Sequence, residues 1–360
     1  MLERFKVPEE IAVNVDYQDM HTVVTQIFKV LGSPLEDAVR CANTLLYADI
    51  RGIDSHGVSN MLRFYIDGIQ SGGINPSPSW KIVRDSEATA TIDCDRGLGL
   101  TIGPIAMDLA IEKAQKCGIG SVVATNGRHF GAAAFHAHRA VEHDMIGIAM
   151  TVGGLQVAPT FASKALVGLN PLGVAAPSNK EAPFVFDASM SSVAGNKIRL
   201  ARRLGVDVLP GWIGTADGVP IMEEQPVPDD FVMLPTGGTR EIGSHKGYSL
   251  AMMVDILSGV LSGSGPGFAT RQGVSHHFLA YRVDAFTELD VFKNDMDSYL
   301  ETIRTCPPAP GNDRVLYAGL QAHETEIKRR SEGIPYHPEV IEWFHDLLLE
   351  LEIPDPLPVL

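Results

Sequence analysis

The sequence predicts an α/β fold in which a central layer of strands and helices is flanked by helical segments from both chain ends. Three observations predict it. Apolar residues recur at helical spacing before residue 75, short β-branched runs alternate with helical stretches after it, and helical spacing returns beyond residue 286.

Taken in order, residues 18–32 and 35–50 read as helices, the second (LEDAVRCANTLLYADI) opened by the start signal Ser33-Pro34. Arg51-Gly52 ends it, DSHGVSN follows, and a further helical stretch runs to Ser71-Gly72-Gly73. The turn-rich INPSPSW sets a boundary near residue 75. Beyond it come a strand at ATATID, a helix over 101–117, a strand at IGSVVAT, a helix over 131–144 and a strand at IGIAMTV. Strands are expected near LVGLN, GVAAP and FVFDA, with a helix over 191–204 and a long apolar helix after Gly247 (YSLAMMVDILSGVLSG). Helices at 286–305 and 337–351, separated by a strand RVLYAG, close the chain. The division expected is a helical segment over 1–75, an α/β core over 76–285, and a helical segment over 286–360 packing with the first.

Composition narrows the function classes. The 360 residues are 45% hydrophobic and 20% charged with mean hydropathy +0.06, ordinary values for a globular chain with a sizeable core. A net charge of −15 and a pI near 5.2 argue against nucleic acid as a partner, since no basic stripe is present to displace phosphate counterions. The basic clusters Lys197/Arg199/Arg202/Arg203 and Lys328/Arg329/Arg330 are short and sit on expected helices. An acidic surface also repels a small carboxylate, so an anionic substrate has to be drawn in by local cations. No run of 18 apolar residues predicts a membrane span. The charged start MLERFKVPEE lacks a secretory signal, and Cys41, Cys94, Cys117 and Cys306 form no close pair. A cytoplasmic protein with reduced thiols is expected.

The usual dinucleotide fingerprint, G-x-G-x-x-G with an acidic residue about 20 positions on, fails here. Gly97-Leu98-Gly99 is followed by Gly103, one position late, and Asp108 and Glu112 fall inside a helix. A glycine-rich turn before a helix accounts for the pattern, so a standard Rossmann domain is not expected.

Four constellations carry chemistry. In Arg51-Gly52-Ile53-Asp54-Ser55-His56-Gly57 a histidine that moves protons near neutral pH sits beside a hydroxyl and a carboxylate able to fix its tautomer. Its flanking glycines suggest a tight turn where backbone and substrate approach closely. Asn126-Gly127-Arg128-His129-Phe130-Gly131 follows an apolar strand at the end where α/β proteins place ligands, and its Arg-His pair suits a carboxylate. His136 and His143 share a helix face, but no acidic or Cys partner stands at ligand spacing, so no metal is expected. Gly168-Leu169-Asn170-Pro171-Leu172-Gly173 and Phe186-Asp187-Ala188-Ser189 suit a charged partner or ribose hydroxyls, with a helix N-cap as the plainer role for Asp187. Leu234-Pro235-Thr236-Gly237-Gly238 and Gly243-Ser244-His245-Lys246-Gly247-Tyr248 place a lysine in a glycine-flanked turn before a helix, a setting that favours phosphate.

In this order the segments RGIDSHGVSN, HFGAAAF, GIAMT, GLNPLGVAAP, FDASMSSVA, LPTGG, HKGYSLAMMVDILSGVLSG and PAPGNDRVLYAG…RRSEGI resemble the malate/L-lactate dehydrogenase family of the sulfolactate dehydrogenase type, over about residues 10–335. Its members include ureidoglycolate dehydrogenase, diketogulonate reductase and piperideine-2-carboxylate reductase. The resemblance implies a homodimer with a non-Rossmann three-layer fold, a mixed central sheet (sulfolactate dehydrogenase-like) flanked by helices from both termini, and an NAD or NADP cofactor held by glycine-rich loops. It implies His56 as proton donor, with Ser55 and Asp187 assisting, and leaves His129 as an alternative acid/base. Cofactor contacts would fall on Asn170-Pro171, Asp187-Ala188-Ser189, Lys246-Gly247 and Asn312-Asp313-Arg314.

Three departures from the family pattern stand out. Many members carry an arginine four residues after the motif histidine, suited to the substrate carboxylate, where this chain has Asn60. Arg51, Arg63 and Arg128 are then the candidate cations. The frequent Gly-Lys after the Asp-Ala-Ser segment appears as Gly195-Asn196-Lys197, and KGYGL is KGYSL. The expected activity is interconversion of a small 2-hydroxy acid and its 2-oxo acid. A cyclic-imine carboxylate reductase on the same fold, and a non-catalytic nucleotide-binding protein, are the competing expectations.

Overall fold

A computed structural model describes residues 7–359. The N-terminal part comprises β1 (Val13–Val15), α1 (Tyr17–Val30), α2 (Leu35–Ile50) and α3 (Val58–Gln70). The middle of the chain adds β2 (Lys81–Asp85), β3 (Thr89–Asp93), α4 (Gly99–Cys117), β4 (Ile119–Gly127), α5 (Ala133–Arg139) and β5 (Met145–Thr151). It continues with β6 (Leu155–Val157), β7 (Val167–Gly168), β8 (Leu172–Ala176), β9 (Phe184–Ala188), α6 (Gly195–Leu204), β10 (Ile213–Thr215) and β11 (Phe231–Met233). Last come α7 (Ser244–Asp255), β12 (Val274–Arg282), α8 (Leu289–Arg304), α9 (Leu320–Glu332), β13 (Ile334–Tyr336) and α10 (Pro338–Glu350).

Seven strands form the main sheet in the order β2-β3-β4-β12-β5-β8-β9. Only β3 and β4 run parallel, and every other neighbouring pair is antiparallel, so the sheet is mixed, as the resemblance implies. The open order and single parallel pair also explain why the dinucleotide fingerprint is missing. Helices α4 and α5 bury small residues against one face: Ala106, Ala110, Ala134 and Ala137 pack with Phe278 and Ala280 of β12. Two glycines set the closeness of that layer. A Cβ at Gly120 would sit 1.8 Å from Ala110 O, and one at Gly147 would sit 2.1 Å from Ala137 O. Helix α7 continues as a π-turn over Ile256–Val260, which packs on β4, β5 and β12.

The chain ends meet. Strand β1 pairs antiparallel with β13, Val13 opposite Tyr336, and one core joins Val24, Phe28, Leu45 and Tyr65 with Ile341, Phe344 and Leu348 of α10. A small four-stranded sheet, β10-β11-β6-β7, forms a separate core with α6 through Val157, Ile198, Ile213 and Met233.

Seven strands (β1, β2, β6, β10, β11, β12 and β13) and helix α9 lie outside the order of elements expected, and one expected strand is not formed. The segment RVLYAG is irregular: only the Val185 N–H to Ala318 O bond ties it to β9, while Tyr317 buries its ring with Leu300 and Leu320 and donates to Ala182 O at 2.9 Å. It covers the edge of β9 through side chains instead of a ladder. The central strand β12 is absent from the sequence expectation, because VSHHFLAYR places His276 and His277 side by side and both are buried. Adjacent polar residues inside a strand erase the alternation that marks one.

Candidate active site

The DSHG turn is held from beneath by residues far away in sequence. Helix α2 ends beside a single 3-10 turn, Asp54–His56, and α3 begins directly after Gly57. The buried Asp49 carboxylate accepts from Val58 N–H at 3.0 Å and from Tyr336 O–H at 3.1 Å, capping α3 from outside. Gly57 is glycine for this reason, since a Cβ there would meet Asp49 Oδ1 at 1.6 Å. Burial, reinforced by Asp54, pushes the Asp49 pKa up to about 7 against the Val58 N–H bond. From α9, Arg329 donates to Asp54 Oδ1 at 2.7 Å. The turn that carries His56 is thus clamped between two C-terminal elements.

His56 and His129 face each other with ring centroids 6.0 Å apart and planes 14° from parallel. Ser55 Oγ lies 2.9 Å from His56 Nδ1. His129 Nδ1 accepts from Gly131 N–H at 3.2 Å and lies 2.7 Å from Tyr65 Oη. A backbone N–H only donates, so Nδ1 is unprotonated, Tyr65 donates to it, and the neutral ring carries its proton on Nε2. The surrounding protein lowers the His56 pKa to about 4. It lowers that of His129 to about 3, with His56 the next contributor, so both rings are neutral at pH 7.

The loop bearing His129 is gripped on both sides by buried rings. His276 donates from Nε2 to Arg128 O at 3.1 Å, and His136 from Nε2 to Phe130 O at 2.7 Å. Phe130 is stacked between them, 4.9 Å from His276 and 4.7 Å from His136. Burial drives these two histidines down to about 4 and about 3, respectively, so their donor tautomers persist at neutral pH.

Asp187, at the end of β9, accepts from Ala134 N–H at 2.8 Å and so ties the start of α5 to the sheet. Surrounding protein lifts its pKa to about 6 against bonds from Ala134 and Ala133. Asn196 of α6 donates to Ser55 O at 2.6 Å, which seats that helix directly over the histidine turn.

The other residues singled out from sequence have these surroundings. Arg51 is buried and paired with Glu326 at 2.6 Å. Arg63 lies 4.9 Å over the Trp343 ring, and Arg128 donates to Gly73 O and Gly127 O. Asn60 donates to Asp54 O. The Asn170 side chain is consumed internally, accepting from Gly153 N–H and donating to Ala251 O, and it fixes the loop that carries Pro171. Ser189, following Ala188, pairs with Ser191. Arg314 is paired with Glu324, and Asn312 and Asp313 are exposed. Lys246 is exposed at the start of α7, and a Cβ at Gly247 would meet Thr236 O at 2.2 Å, so the LPTGG loop lies against that helix end. Sequence reasoning misses Tyr65, Asp49, His276 and the tether from Asn196. Only His276 leaves a trace, as one of a pair of histidines in an apolar run.

No helix among the described residues is long and apolar enough to cross a membrane. The chain is 38% identical over 346 residues to malate dehydrogenase of Pyrococcus abyssi, covering 94% of this chain and 95% of that one. It is 33% identical over 316 residues to L-sulfolactate dehydrogenase of Methanocaldococcus jannaschii, covering 86% and 89%. The crystal structure of malate dehydrogenase from Entamoeba histolytica superposes with a TM-score of 0.90 at 32% identity, covering 96% of this chain and all of that one (100%). With residues 15–345 matching the family model described as malate/L-lactate dehydrogenase, the chain belongs to that family.

Proposed function

We propose that the chain is an NAD(P)-dependent dehydrogenase that interconverts a small 2-hydroxy acid and its 2-oxo acid, with His56 moving the proton on oxygen. The observation that carries this is the stacked His56–His129 pair, in which the Gly131 N–H bond fixes His129 as an Nε2–H donor and leaves His56 the ring that can take a proton. With Nδ1–H donated to Ser55 Oγ, His56 Nε2 is free to take the hydroxyl proton during oxidation and return it during reduction. His129, whose Nδ1 is already an acceptor, presents Nε2–H as a hydrogen-bond donor to the same substrate oxygen. Two histidines with complementary roles fit a carbonyl–alcohol interconversion. Asp187 orients the start of α5, into which the His129 loop runs directly.

The loops suit a dinucleotide. Lys246, exposed at the start of α7, offers a cation at the positive end of a helix for a pyrophosphate. Asn170-Pro171, Ala188-Ser189, Gly247 and Asn312-Asp313-Arg314 are the further cofactor contacts proposed. When bound, the nicotinamide supplies or takes the hydride at substrate C2.

The proposal extends to a homodimer. Leu250, Met253, Ile256, Val260 and Leu261, on α7 and its continuation, are between 39% and 58% exposed, an apolar stripe larger than isolated surface residues account for. Light scattering should give twice the chain mass, and a monomer would remove this part of the proposal.

The deciding experiment is oxidation of NADH and NADPH in parallel against a panel of 2-oxo acids plus one cyclic imine. Turnover on an oxo acid supports the proposal and identifies the cofactor. Turnover on the imine alone replaces it with the reductase alternative.

A further inference from the structure

The departure at Asn60 leaves the site without the cation expected there, and the cations nearest in sequence are spent elsewhere. Asn60 itself reaches back to Asp54 O. Arg51 is committed to Glu326 and lies 5.1 Å over the Tyr47 ring. Arg63 covers Trp343, and Arg128 holds two backbone carbonyls. In a chain of net charge −15, a small carboxylate still needs a local positive group to enter and align.

Helix α6 supplies one. Asn196 fixes its first turn on Ser55 O, and Arg199 stands one turn on. At 3.6 residues per turn, Arg199 lies about 60° around the helix from Asn196, and Lys197 lies about 100° away. Among the described residues Arg199 is in no ion pair or side-chain hydrogen bond, and it lines a cavity of about 200 Å³ with Gln156, Gly195, Ile198, Arg202 and Phe231. Gly195 leaves room for the Gln156 carboxamide, since a Cβ there would fall 2.8 Å from Gln156 Oε1. Arg202, the other arginine of the cavity, is already bonded to Pro228 O at 2.6 Å and lies over the Phe231 ring. Arg199 is also among the charges that lower the His129 pKa, after burial, His56 and His276.

We infer that Arg199 binds the carboxylate of the substrate, taking over the task of the arginine missing at position 60, with the Gln156 carboxamide as a second hydrogen-bonding group. The inference rests on the dehydrogenase proposal above for the identity of the substrate, and on the cavity for its location. A planar guanidinium holds a carboxylate by two parallel bonds, which fixes C2 in orientation as well as in place.

The test uses the full-length protein and three variants, Arg199→Met, Arg199→Lys and Arg203→Met, the last at an exposed residue of α6 that does not line the cavity. Arg199→Met should raise KM for the 2-oxo acid at least about tenfold while leaving KM for the nicotinamide cofactor unchanged. Arg199→Lys should recover part of that loss, and Arg203→Met should leave KM within about twofold. An unchanged KM in Arg199→Met overturns the inference. So does a rise in KM for NADPH that spares both NADH and the oxo acid, which would make the cavity a 2′-phosphate site. Calorimetric binding of oxalate separates this from the dehydrogenase proposal. If the wild type turns over no oxo acid but binds oxalate, and Arg199→Met binds it at least tenfold more weakly, the anion site stands and the proposed activity falls. If the wild type binds no oxalate, the inference falls whatever the activity.

Discussion

His56 and His129 present nearly parallel rings 6.0 Å apart, and the Gly131 N–H bond to His129 Nδ1 makes them chemically unequal. A ring whose Nδ1 is held as an acceptor keeps its proton on Nε2 and donates; it does not take a second proton without breaking that bond. His56→Ala should therefore lower kcat by about 10²–10⁴-fold, the range of a lost general acid–base, while the fluorescence-titrated affinity for NADH stays near wild type. His129→Ala should act more on KM than on kcat. Near-wild-type turnover in His56→Ala would transfer the proton role to His129.

The buried sandwich of His136, Phe130 and His276 has a different consequence. His276→Leu leaves Arg128 O without its donor, at a cost of about 1–3 kcal/mol, and loosens the loop that aims His129. His276→Gln can place an amide N–H near the same point. The leucine variant should lose both thermal stability and kcat, and the glutamine variant should recover most of each. Equal losses in the two would mean that ring volume, not the hydrogen bond, positions the loop.

These two histidines also mark the limit of what the sequence makes legible. The helices of both chain ends are readable because their apolar faces repeat every three to four residues, as in α1 with Val23, Val24, Ile27 and Phe28 buried. Strand β9 is readable because FVFDA is a short apolar run ending in a charge. Strand β12, at the centre of the sheet, is hidden by its paired histidines, whose burial depends on Thr151, Arg128 O and Ser121, partners brought in by other segments. The motifs DSHG and HFG announce His56 and His129, but not the cations around them. Whether an arginine is free or spent depends on its surroundings, and Arg51 is spent on Glu326, 275 residues away.

Histidines held neutral by burial bear on stability against acid. His136, His276 and His277 have folded-state pKa values lowered to about 3, 4 and 4 from an ordinary 6.5. Between the folded and unfolded values the unfolded chain binds more protons, so stability rises with pH across that window and is lost as pH falls from about 6.5 towards 4. Asp49 and Asp187, raised to about 7 and about 6, work in the opposite sense. With His56 and His129 also lowered, histidines outnumber these carboxylates, and the net effect of acidification is destabilising. Urea unfolding at pH 7 and pH 5 should show the difference. In His276→Gln the loss between pH 7 and pH 5 should be smaller by about 2 kcal/mol in all, about 1 kcal/mol per pH unit. An unchanged slope would mean that His276 is already charged in the fold.

The Asp49 carboxylate gives a last test, because it supports the His56 turn without touching it. It is the acceptor for a buried N–H from Val58 and a buried hydroxyl from Tyr336. Asp49→Ala orphans both and should destabilise the fold by about 2–5 kcal/mol, with a loss of kcat as the start of α3 shifts beneath His56. Asp49→Asn keeps an oxygen that accepts both bonds and removes a charge that burial already disfavours, so its stability at pH 7 should stay within about 1 kcal/mol of wild type. Because the folded-state pKa near 7 lies above the ordinary 3.8, Asp49 makes stability decline as pH rises from about 4 to 7, and Asp49→Asn should flatten that decline. Chemical unfolding across that range measures it. An asparagine variant as unstable as the alanine one would show that the charge of Asp49 is required, through the Arg329 that reaches the same turn.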